Sequence, residues 1–272
     1  MLSLLLLLIS ILAGTLGSLL GLGGGIIVVP ALTLIFNVDI RYAVAASLIS
    51  IIATSSSGAA IFLKENLTNI RIATVLELGT VAGALTGFLI STQLNTQWLF
   101  FLFGIFLLLS TILMFKRRED HTSNVDHPWS KKLKLAGSFV NEKMQKSHYH
   151  VENLPIGLIS MYFAGILSAL LGIGSGIFKV IAMDGAMKLP LKVSSATSNF
   201  MIGVTAAASA GAYFLRGDVR PEIASPVALG IIAGSWIGSK IMMKLPTSQI
   251  RKIFVFVLFI VSIQMIMKGL KT

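Results

Sequence analysis

The chain lacks cysteine entirely, because none of its 272 residues is one. Disulfides, iron–sulfur clusters, thiolate zinc sites and thiol nucleophiles are therefore excluded. All four histidines lie in one polar stretch, so no apolar segment offers a histidine for a metal or for a Ser/His hydrolase. We predict that the protein is not an enzyme and carries no metal or cofactor. The histidines are His121, His127, His148 and His150.

Charged residues are also scarce. They make up 12% of the chain, against about 25% in a typical soluble domain, while 55% of the residues are hydrophobic. A soluble protein of this length needs more polar side chains to cover its surface. The composition therefore predicts a membrane protein with the lipid bilayer as its outer solvent. We attribute the net charge of +11 to topology signals on the cytoplasmic side and predict no nucleic-acid partner.

Long apolar runs divide the chain into two halves. The only long polar stretch, residues 116–153, separates the fourth run from the fifth. We predict an all-α polytopic fold in three parts: a first membrane repeat over 1–115, a basic linker over 116–153 and a second membrane repeat over 154–272. The runs cover roughly 4–36, 42–63, 72–91, 97–115, 154–183, 193–214, 223–243 and 253–267.

Within the linker, apolar residues recur at helical spacing, at Trp129, Leu133, Ala136 and Val140. Lysines accompany them. The pattern is typical of a short amphipathic helix that lies on the inner leaflet. A solvated loop that only connects the two halves accounts for the composition equally well.

The two halves are related by a constant offset of 151 residues, without gaps. Glycines dominate the matches, and one offset that holds across a whole half is the mark of an internal duplication. The matched pairs include Gly14 with Gly165, Leu20 with Leu171, Gly21, Gly23 and Gly25 with Gly172, Gly174 and Gly176, Arg41 with Lys192, Ala45 and Ser47 with Ala196 and Ser198, and Gly79, Gly83 and Gly87 with Gly230, Gly234 and Gly238.

The first apolar run of each half has an awkward length. Residues 4–36 number 33 and residues 154–183 number 30, whereas one span needs about 20 residues. Each run carries a glycine cluster in its middle, at 21–25 and at 172–176, and such clusters break helices. We predict that each run is a re-entrant helical hairpin, followed by three transmembrane helices.

The distribution of lysine and arginine favours the hairpins. With them, 17 of the 22 basic residues lie on one side of the membrane; if every run crosses, the larger group is 14. Three crossings per half also make the two repeats inverted. We therefore predict inverted repeats, both termini outside and residues 116–153 in the cytoplasm.

The two glycine clusters are the first candidates for a binding site. Irregular backbone inside a bilayer is tolerated only where protein or water satisfies its polar groups, so such breaks line cavities. Exposed amides at a half-helix N-terminus attract anions. The alternative is that the glycines only allow close helix packing. The candidate residues are Gly23, Gly24, Gly25, Gly174, Ser175 and Gly176.

The motifs around these clusters resemble those of the TauE/SafE sulfite exporter family of bacterial and archaeal membrane proteins. GLGGGIIVVPAL at 21–32 precedes RYAVAASLIS at 41–50, and GIGSGIFKVIAM at 172–183 precedes LKVSSATSNF at 191–200. The resemblance covers nearly the whole chain. It implies a multi-pass carrier of sulfite, sulfonates or related sulfur-containing anions in the cell membrane.

One departure from the family pattern concerns the helix after each hairpin. Where the family often has Thr-Ser, the first half has Ala46-Ser47, whereas the second half keeps Thr197-Ser198. The two half-sites are therefore expected to contribute unequally. Hydroxyl and amide groups at these positions can donate hydrogen bonds to an anion; intrahelical bonding to a carbonyl one turn earlier is the alternative. The candidate residues are Ser47, Thr197, Ser198 and Asn199.

Two ionisable residues lie inside apolar runs. Lys179 stands three residues after Gly176, and Glu77 lies in the third run. A membrane-embedded charge is costly and is a functional candidate by default. We expect Lys179 to attract the anion and Glu77 to carry a coupling proton or to pair with a lysine. The alternatives are that Lys179 extends to the interface and that Glu77 lies near the end of its helix.

These observations predict a secondary transporter, an exporter, of sulfite, sulfonates or related sulfur-containing anions. Alternating access around a midplane site would move the anion, and an ion gradient or the substrate gradient would supply the energy because the chain has no Walker A loop. The alternatives are a passive anion channel or a transporter of another small organic anion. The glycines at every fourth residue, 79–87 and 230–238, are interpreted as packing seams.

Overall fold

The computed structural model describes residues 2–18, 24–115, 127–140, 146–242 and 247–271. Most of these residues are helical, as the sequence predicts. In the first half, a π-helical turn over Ala31–Ile35 continues the second helix directly. The helices of this half are α1 Leu2–Ser18, α2 Gly25–Pro30, α3 Ile40–Lys64, α4 Ile70–Gln93 and α5 Thr96–Phe115.

The second half repeats this order after a short linker helix, α6. A second π-helical turn, Ala182–Ala186, again continues the short helix that follows the glycine cluster. The helices are α6 Pro128–Lys132 in the linker, then α7 Leu154–Leu171, α8 Gly176–Ile181, α9 Leu191–Arg216, α10 Pro221–Met242 and α11 Thr247–Lys271.

The offset of 151 residues recurs in the element bounds. It relates Gly25, Ile40 and Ile70, where α2, α3 and α4 begin, to the first residues of α8, α9 and α10. It also relates backbone details: Gly24 and Ser175, which precede α2 and α8, both have positive φ angles, 73° and 48°. Equivalent sequence therefore produces equivalent local structure in the two halves.

Each of the main helix pairs joins one helix of the first half to one helix of the second half. Helix α1 packs along α10, while its counterpart α7 packs along α4; α3 packs against α9, and α5 against α11. Glycines permit the close approach, because a Cβ atom on Gly79 would lie 2.9 Å from the Leu158 carbonyl oxygen. A Cβ on the equivalent Gly230 would lie 2.6 Å from the Leu7 carbonyl oxygen. The predicted packing seams are confirmed at these positions; the surroundings of Gly238 lie outside the described part of the chain.

The linker lies at one end of the helix bundle. Asn69 caps the N-terminus of α4 by accepting from the Ile72 amide at 3.1 Å. Its side-chain amide donates to the Leu135 carbonyl at 3.0 Å and to the Tyr149 hydroxyl at 2.9 Å. Helix α4 has 24 residues, which is about 36 Å of rise. At its other end, Arg41 donates to the Leu94 carbonyl at 3.0 Å.

The segment from α7 to the second π-helical turn begins and ends at the linker end of the bundle. The side-chain amide of Asn153 donates to the Ala186 carbonyl at 3.1 Å, and the Glu152 amide donates to the Met187 carbonyl at 3.2 Å. The start of α7 and the end of the turn therefore contact each other.

The equivalent residues of the first half gather at the opposite end. Besides the bond from Arg41 to the end of α4, Arg220 donates to the Tyr42 hydroxyl at 3.1 Å. Lys268 donates to the Asn37 side-chain carbonyl, also at 3.1 Å. These contacts place Asn37, Arg41 and Tyr42 at the end of the bundle away from the linker.

The linker does not form the amphipathic helix that was one of its two interpretations. Helix α6 ends at Lys132, and a two-stranded antiparallel sheet follows, formed by β1 Gly137–Val140 and β2 Lys146–Tyr149. Lys134 has a φ angle of 51°, a left-handed conformation that no α-helix can continue through. The helical interpretation is therefore wrong for the residues after Lys132, and the described part of the linker consists of a short helix and a two-stranded sheet.

The outer surface of the bundle is apolar. Large hydrophobic side chains point away from it on several helices, for example Leu78, Phe214, Leu215 and Trp236, and Leu215 is 87% exposed. Among the described residues, α4 and α7 are long and apolar enough to cross a membrane. A surface of this kind needs lipid around it.

Candidate functional site

Helical structure is interrupted before α2, at Gly24, and between α7 and α8, at residues 172–175. These two helix breaks contact each other in the interior of the bundle. A Cβ atom on Gly25 would lie 2.6 Å from the carbonyl oxygen of Gly172 in the other half. The Ser47 hydroxyl, on α3, donates to the same carbonyl at 2.6 Å. The structure therefore brings Gly25 and Ser47 together with the break of the second half, whereas a Cβ on Gly24 would face Ile231 on α10. Gly23 lies outside the described residues.

Side chains and backbone of neighbouring residues crowd the glycines of the second break. Gly174 has a φ angle of 69°, and a Cβ there would lie 2.6 Å from Cγ2 of Ile202. A Cβ on Gly176 would lie 2.5 Å from Cδ1 of the same isoleucine. Close packing is thus a real role of these glycines in this conformation. Ser175, between them, is 1% exposed, and its hydroxyl has no hydrogen-bond partner among the described residues.

In this structure, the side chains predicted to donate hydrogen bonds to an anion bond to other groups of the protein. Ser198 donates to the Gly176 carbonyl at 3.2 Å, as Ser47 does to Gly172. These bonds join different elements, so the alternative of bonding within the helix is wrong for both serines. Thr197 accepts from the Asn69 amide at 3.1 Å, which places it near the linker. The backbone carbonyl of Asn199 accepts from Ser55 on α3 at 2.5 Å.

Lys179 and Glu77, which the sequence places 102 residues apart, meet through a third side chain. The Nζ atom of Lys179 and the Oε1 atom of Glu77 each lie 2.5 Å from the Oγ1 atom of Thr205. The three residues belong to α8, α4 and α9. Lys179 is fully buried, so the alternative that it extends to the interface is wrong.

The hydrogen bonds in this cluster have a direction. The Lys179 ammonium has only donors, so it donates to Thr205, and the threonine hydroxyl can in turn donate to Glu77. The threonine also lies 2.9 Å from the Met201 carbonyl oxygen. The second carboxylate oxygen of Glu77, Oε2, is buried and has no hydrogen-bond partner among the described residues. The opposite charges compensate each other, which burial of a charge requires.

Thr205 is a member of the cluster that the sequence patterns did not single out, although a signal for it is present. It follows Ser198 by seven residues, which is about two helical turns, so the two side chains share one face of α9. A search for polar residues along the face that carries Ser198 would have found it. Nothing in the sequence pairs that face with Glu77, because α4 and α9 belong to different halves.

Neither charge of the cluster is repeated at the position that the offset relates to it. The offset of 151 relates Lys179 to Val28 and Thr205 to Thr54. In the opposite direction it relates Glu77 to Ala228. The duplicated position thus keeps the threonine and lacks both charges. The buried ion pair is therefore one of the positions at which the two halves differ.

Comparison with known proteins identifies the relatives of this chain. A family model described as sulfite exporter TauE/SafE matches residues 6–265. The probable membrane transporter protein YunE of Bacillus subtilis is 28% identical over 273 residues, covering 96% of each chain. The probable membrane transporter protein MJ0441 of Methanocaldococcus jannaschii is 28% identical over 264 residues, covering 91% of this chain and 89% of its own. No solved structure matches the chain significantly.

Proposed function

Because the chain belongs to the TauE/SafE sulfite exporter family, we propose that this membrane transporter carries sulfite, sulfonates or related sulfur-containing anions. Alternating access moves the anion through a midplane site between the two helix breaks. The family description names sulfite, and the relatives are named as probable membrane transporters. The gradients across the membrane set whether net flux is export or uptake.

The observation that carries this proposal is a fully buried lysine beside the contact of the two breaks. Lys179 follows Gly176 by three residues, which is about 4.5 Å of helical rise. A positive charge held inside an apolar bundle attracts an anion. The Ser175 hydroxyl, which has no partner among the described residues, lies between the lysine and Gly172 in sequence. It supplies a donor to an oxyanion.

The other predicted residues act when the breaks separate. Opening the contact between Gly25 and Gly172 releases the Ser47 and Ser198 hydroxyls from their carbonyl partners, and both can then donate to the anion. Thr197 and Asn199 lie on the same helix as Ser198 and close the site on the linker side. Glu77 is the residue that carries a coupling proton. The amides that we assign to the same opening are those of Gly24, Gly25, Gly174, Ser175 and Gly176; Gly23, the remaining candidate, lies outside the described residues.

We propose further that the halves are inverted repeats and that each break is the tip of a re-entrant hairpin. Support comes from the meeting of Asn153 with Ala186 at the linker end, since a segment that starts and finishes at one end has not crossed. The equivalent first-half residues, around Arg41, lie at the other end. The basic linker is then cytoplasmic by the positive-inside rule, in a bacterial or archaeal cell membrane.

Counterflow in proteoliposomes tests the transport function. Preloaded unlabelled sulfite should accelerate entry of labelled sulfite, whereas thiosulfate, sulfate and methanesulfonate, tested in parallel, define the selectivity. A passive channel would show no acceleration from the trans side. Transport of no sulfur anion at all would overturn the proposed substrate class.

Two variants with matched controls test the site. Lys179→Met should abolish counterflow, while Lys132→Met, which removes an exposed linker charge, should leave it unchanged. Gly174→Leu should also abolish it, because the side chain would collide with Ile202. Gly211→Leu is the control, since no described atom lies within 4 Å of a Cβ at that position.

A further inference from the structure

The buried cluster of Lys179, Thr205 and Glu77 is neutral as a whole in the state that the structure describes. The lysine and the carboxylate carry opposite charges, and the threonine hydroxyl bridges them with 2.5 Å separations on both sides. Lys179 is 0% and Glu77 is 8% exposed. Any ligand that takes over Lys179 therefore leaves a carboxylate in the interior without its compensating charge.

Few other charges lie near enough to replace the lysine. Among the described residues of the elements packed on α4 and α8, the remaining charged groups of α9 lie at its two ends, 11 or more residues from Thr205. The acidic group of the second π-helical turn adds negative charge and cannot compensate a carboxylate. The titratable groups on these packed elements are Tyr162 on α7, Asp184 on the turn, and Lys192, Tyr213 and Arg216 on α9.

We propose that this cluster couples the binding of one monovalent oxyanion at Lys179 to the uptake of one proton by Glu77, so that the loaded site is again neutral. The inference rests on the proposed function, in which Glu77 carries the coupling proton, and specifies the proton-to-anion ratio and the preferred substrate charge. The transporter is thereby a proton–anion symporter with a ratio of one to one.

The steps balance in atoms and charge. The Lys179 ammonium exchanges its hydrogen bond to Thr205 for one to an oxygen of the anion. The Oε2 atom of Glu77 accepts a proton from hydronium on the side from which the anion enters, which leaves one water molecule, and Oε1 keeps the hydrogen bond from Thr205. No covalent bond other than the O–H bond of the carboxyl group forms, and nothing is oxidised or reduced. When the anion leaves, Glu77 releases its proton to the solution, and Lys179 donates to Thr205 again.

The difference between the two halves sets the ratio of protons to anions. The equivalent position holds Val28, Thr54 and Ala228, which offer neither a positive charge nor a carboxylate. One transport cycle therefore binds one anion and one proton, at one of the two related positions. A divalent anion such as sulfate would leave one negative charge uncompensated in the interior, and we expect it to be carried poorly.

Proteoliposomes with a clamped membrane potential test the coupling. The probes are radiolabelled methanesulfonate, which stays monovalent at all accessible pH values, and sulfite. A pH difference of about one unit, acid outside, should drive accumulation of the anion by about tenfold in the wild type. A potassium–valinomycin potential should leave this accumulation unchanged, because the loaded and the empty sites are both neutral.

Glu77→Gln separates coupling from binding. The amide oxygen of the introduced glutamine would still accept a hydrogen bond from Thr205. The empty site, however, now carries the uncompensated charge of the lysine, so the empty transporter cannot return to the other side of the membrane. We expect counterflow to persist and accumulation driven by the pH difference to fall to background. Thr205→Val should weaken the same accumulation, whereas the matched Thr54→Val should leave it at the wild-type level.

The outcomes distinguish this inference from the proposed function. Counterflow without any response to the pH difference, or accumulation that follows the membrane potential, would overturn the coupling together with the proton role of Glu77, and leave the proposal of anion transport intact. Wild-type accumulation that survives in Glu77→Gln would overturn the role of that residue. Absence of counterflow for both probes would overturn the coupling together with the proposed function.

Discussion

The two breaks share a left-handed residue at equivalent positions, but the residues differ. Gly24 tolerates its φ angle of 73° without strain, whereas Ser175 adopts 48° with a side chain attached. A non-glycine residue in this region costs about 1 kcal/mol or more and persists where its surroundings hold it. The hydroxyl of Ser175 also has no partner within the described part of the chain. A left-handed backbone together with a buried hydroxyl that lacks a partner is the combination expected of a residue that binds a ligand.

Ile202 gives a residue-level test of how the second break is packed. Gly176→Ala should destabilise the protein by about 1–3 kcal/mol because its Cβ collides with Cδ1 of Ile202. Ile202→Val removes Cδ1 and should rescue that variant. It should not rescue Gly174→Ala, whose collision is with Cγ2, which valine retains, and whose φ angle is positive.

Thermal unfolding in detergent of these single variants and of the two double variants measures the difference as a coupling energy. Equal rescue of both alanine variants by Ile202→Val would contradict the packing of the two glycines against different methyl groups.

Tyr149 gives a second test at this scale, in the linker. Burial raises the pKa of its hydroxyl, and the hydrogen bond from Asn69 lowers it by less. The folded protein therefore favours the neutral phenol, so this contribution to stability is complete below the unfolded pKa of about 10 and is lost as pH rises through the folded pKa. Unfolding midpoints measured from pH 8 to 11 should fall more steeply in the wild type than in Tyr149→Phe.

At the scale of helices, glycine seams explain how the halves interlock. The seam on α4 receives α7, and the equivalent seam on α10 receives α1, so each half covers the seam of the other. In a bilayer there is little hydrophobic gain from bringing apolar helices together, and close contact of backbones supplies the stability instead. The same interlocking brings Glu77 on α4 to the cluster in the other half.

Gly87→Val tests a seam. A Cβ at this position would lie 2.6 Å from the Ile166 carbonyl oxygen, and a backbone atom cannot move aside cheaply. We expect a loss of about 1–3 kcal/mol in unfolding free energy. Gly211→Val, on α9, should unfold at the wild-type temperature, because no described atom lies within 4 Å of a Cβ there. A comparable loss in both variants would show that valine itself, and not the seam, is responsible.

At the scale of the whole molecule, the ends of the bundle differ in charge. The end opposite the linker holds Arg41, Arg216, Arg220 and Lys268, each of which bonds to a residue of that same end. These belong to the group of five basic residues that the hairpin topology assigns to the outer side. The contacts therefore agree with the charge distribution that favours the hairpins.

The absence of cysteine makes the topology directly measurable. Arg71 and Glu222 are equivalent under the offset, and both are exposed at the start of their helices, α4 and α10. Arg71→Cys should react with an impermeant maleimide only in inside-out vesicles, and Glu222→Cys only in intact cells. Reaction of both from the same side would contradict inverted repeats.

The sequence alone determined the membrane class, the duplication with its offset of 151 and the position of both helix breaks. These features are local or periodic: apolar run length, glycine clusters and repeated spacing all act within a segment. The family likewise follows from motifs that are contiguous in the chain. The linker fold was missed because Leu135 and Tyr149 are buried by contacts with Asn69 and other distant residues, which override the helical spacing.

Which polar groups meet depends on how the helices pack in three dimensions. Lys179, Thr205 and Glu77 come from three helices of two halves, and Ser47 bonds to a break 125 residues away. In this conformation, the hydroxyls of Ser47 and Ser198 hold backbone carbonyls. Hydrogen bonds and ion pairs are short-range and directional, so residue spacing within a segment cannot specify partners that helix packing supplies from another part of the chain.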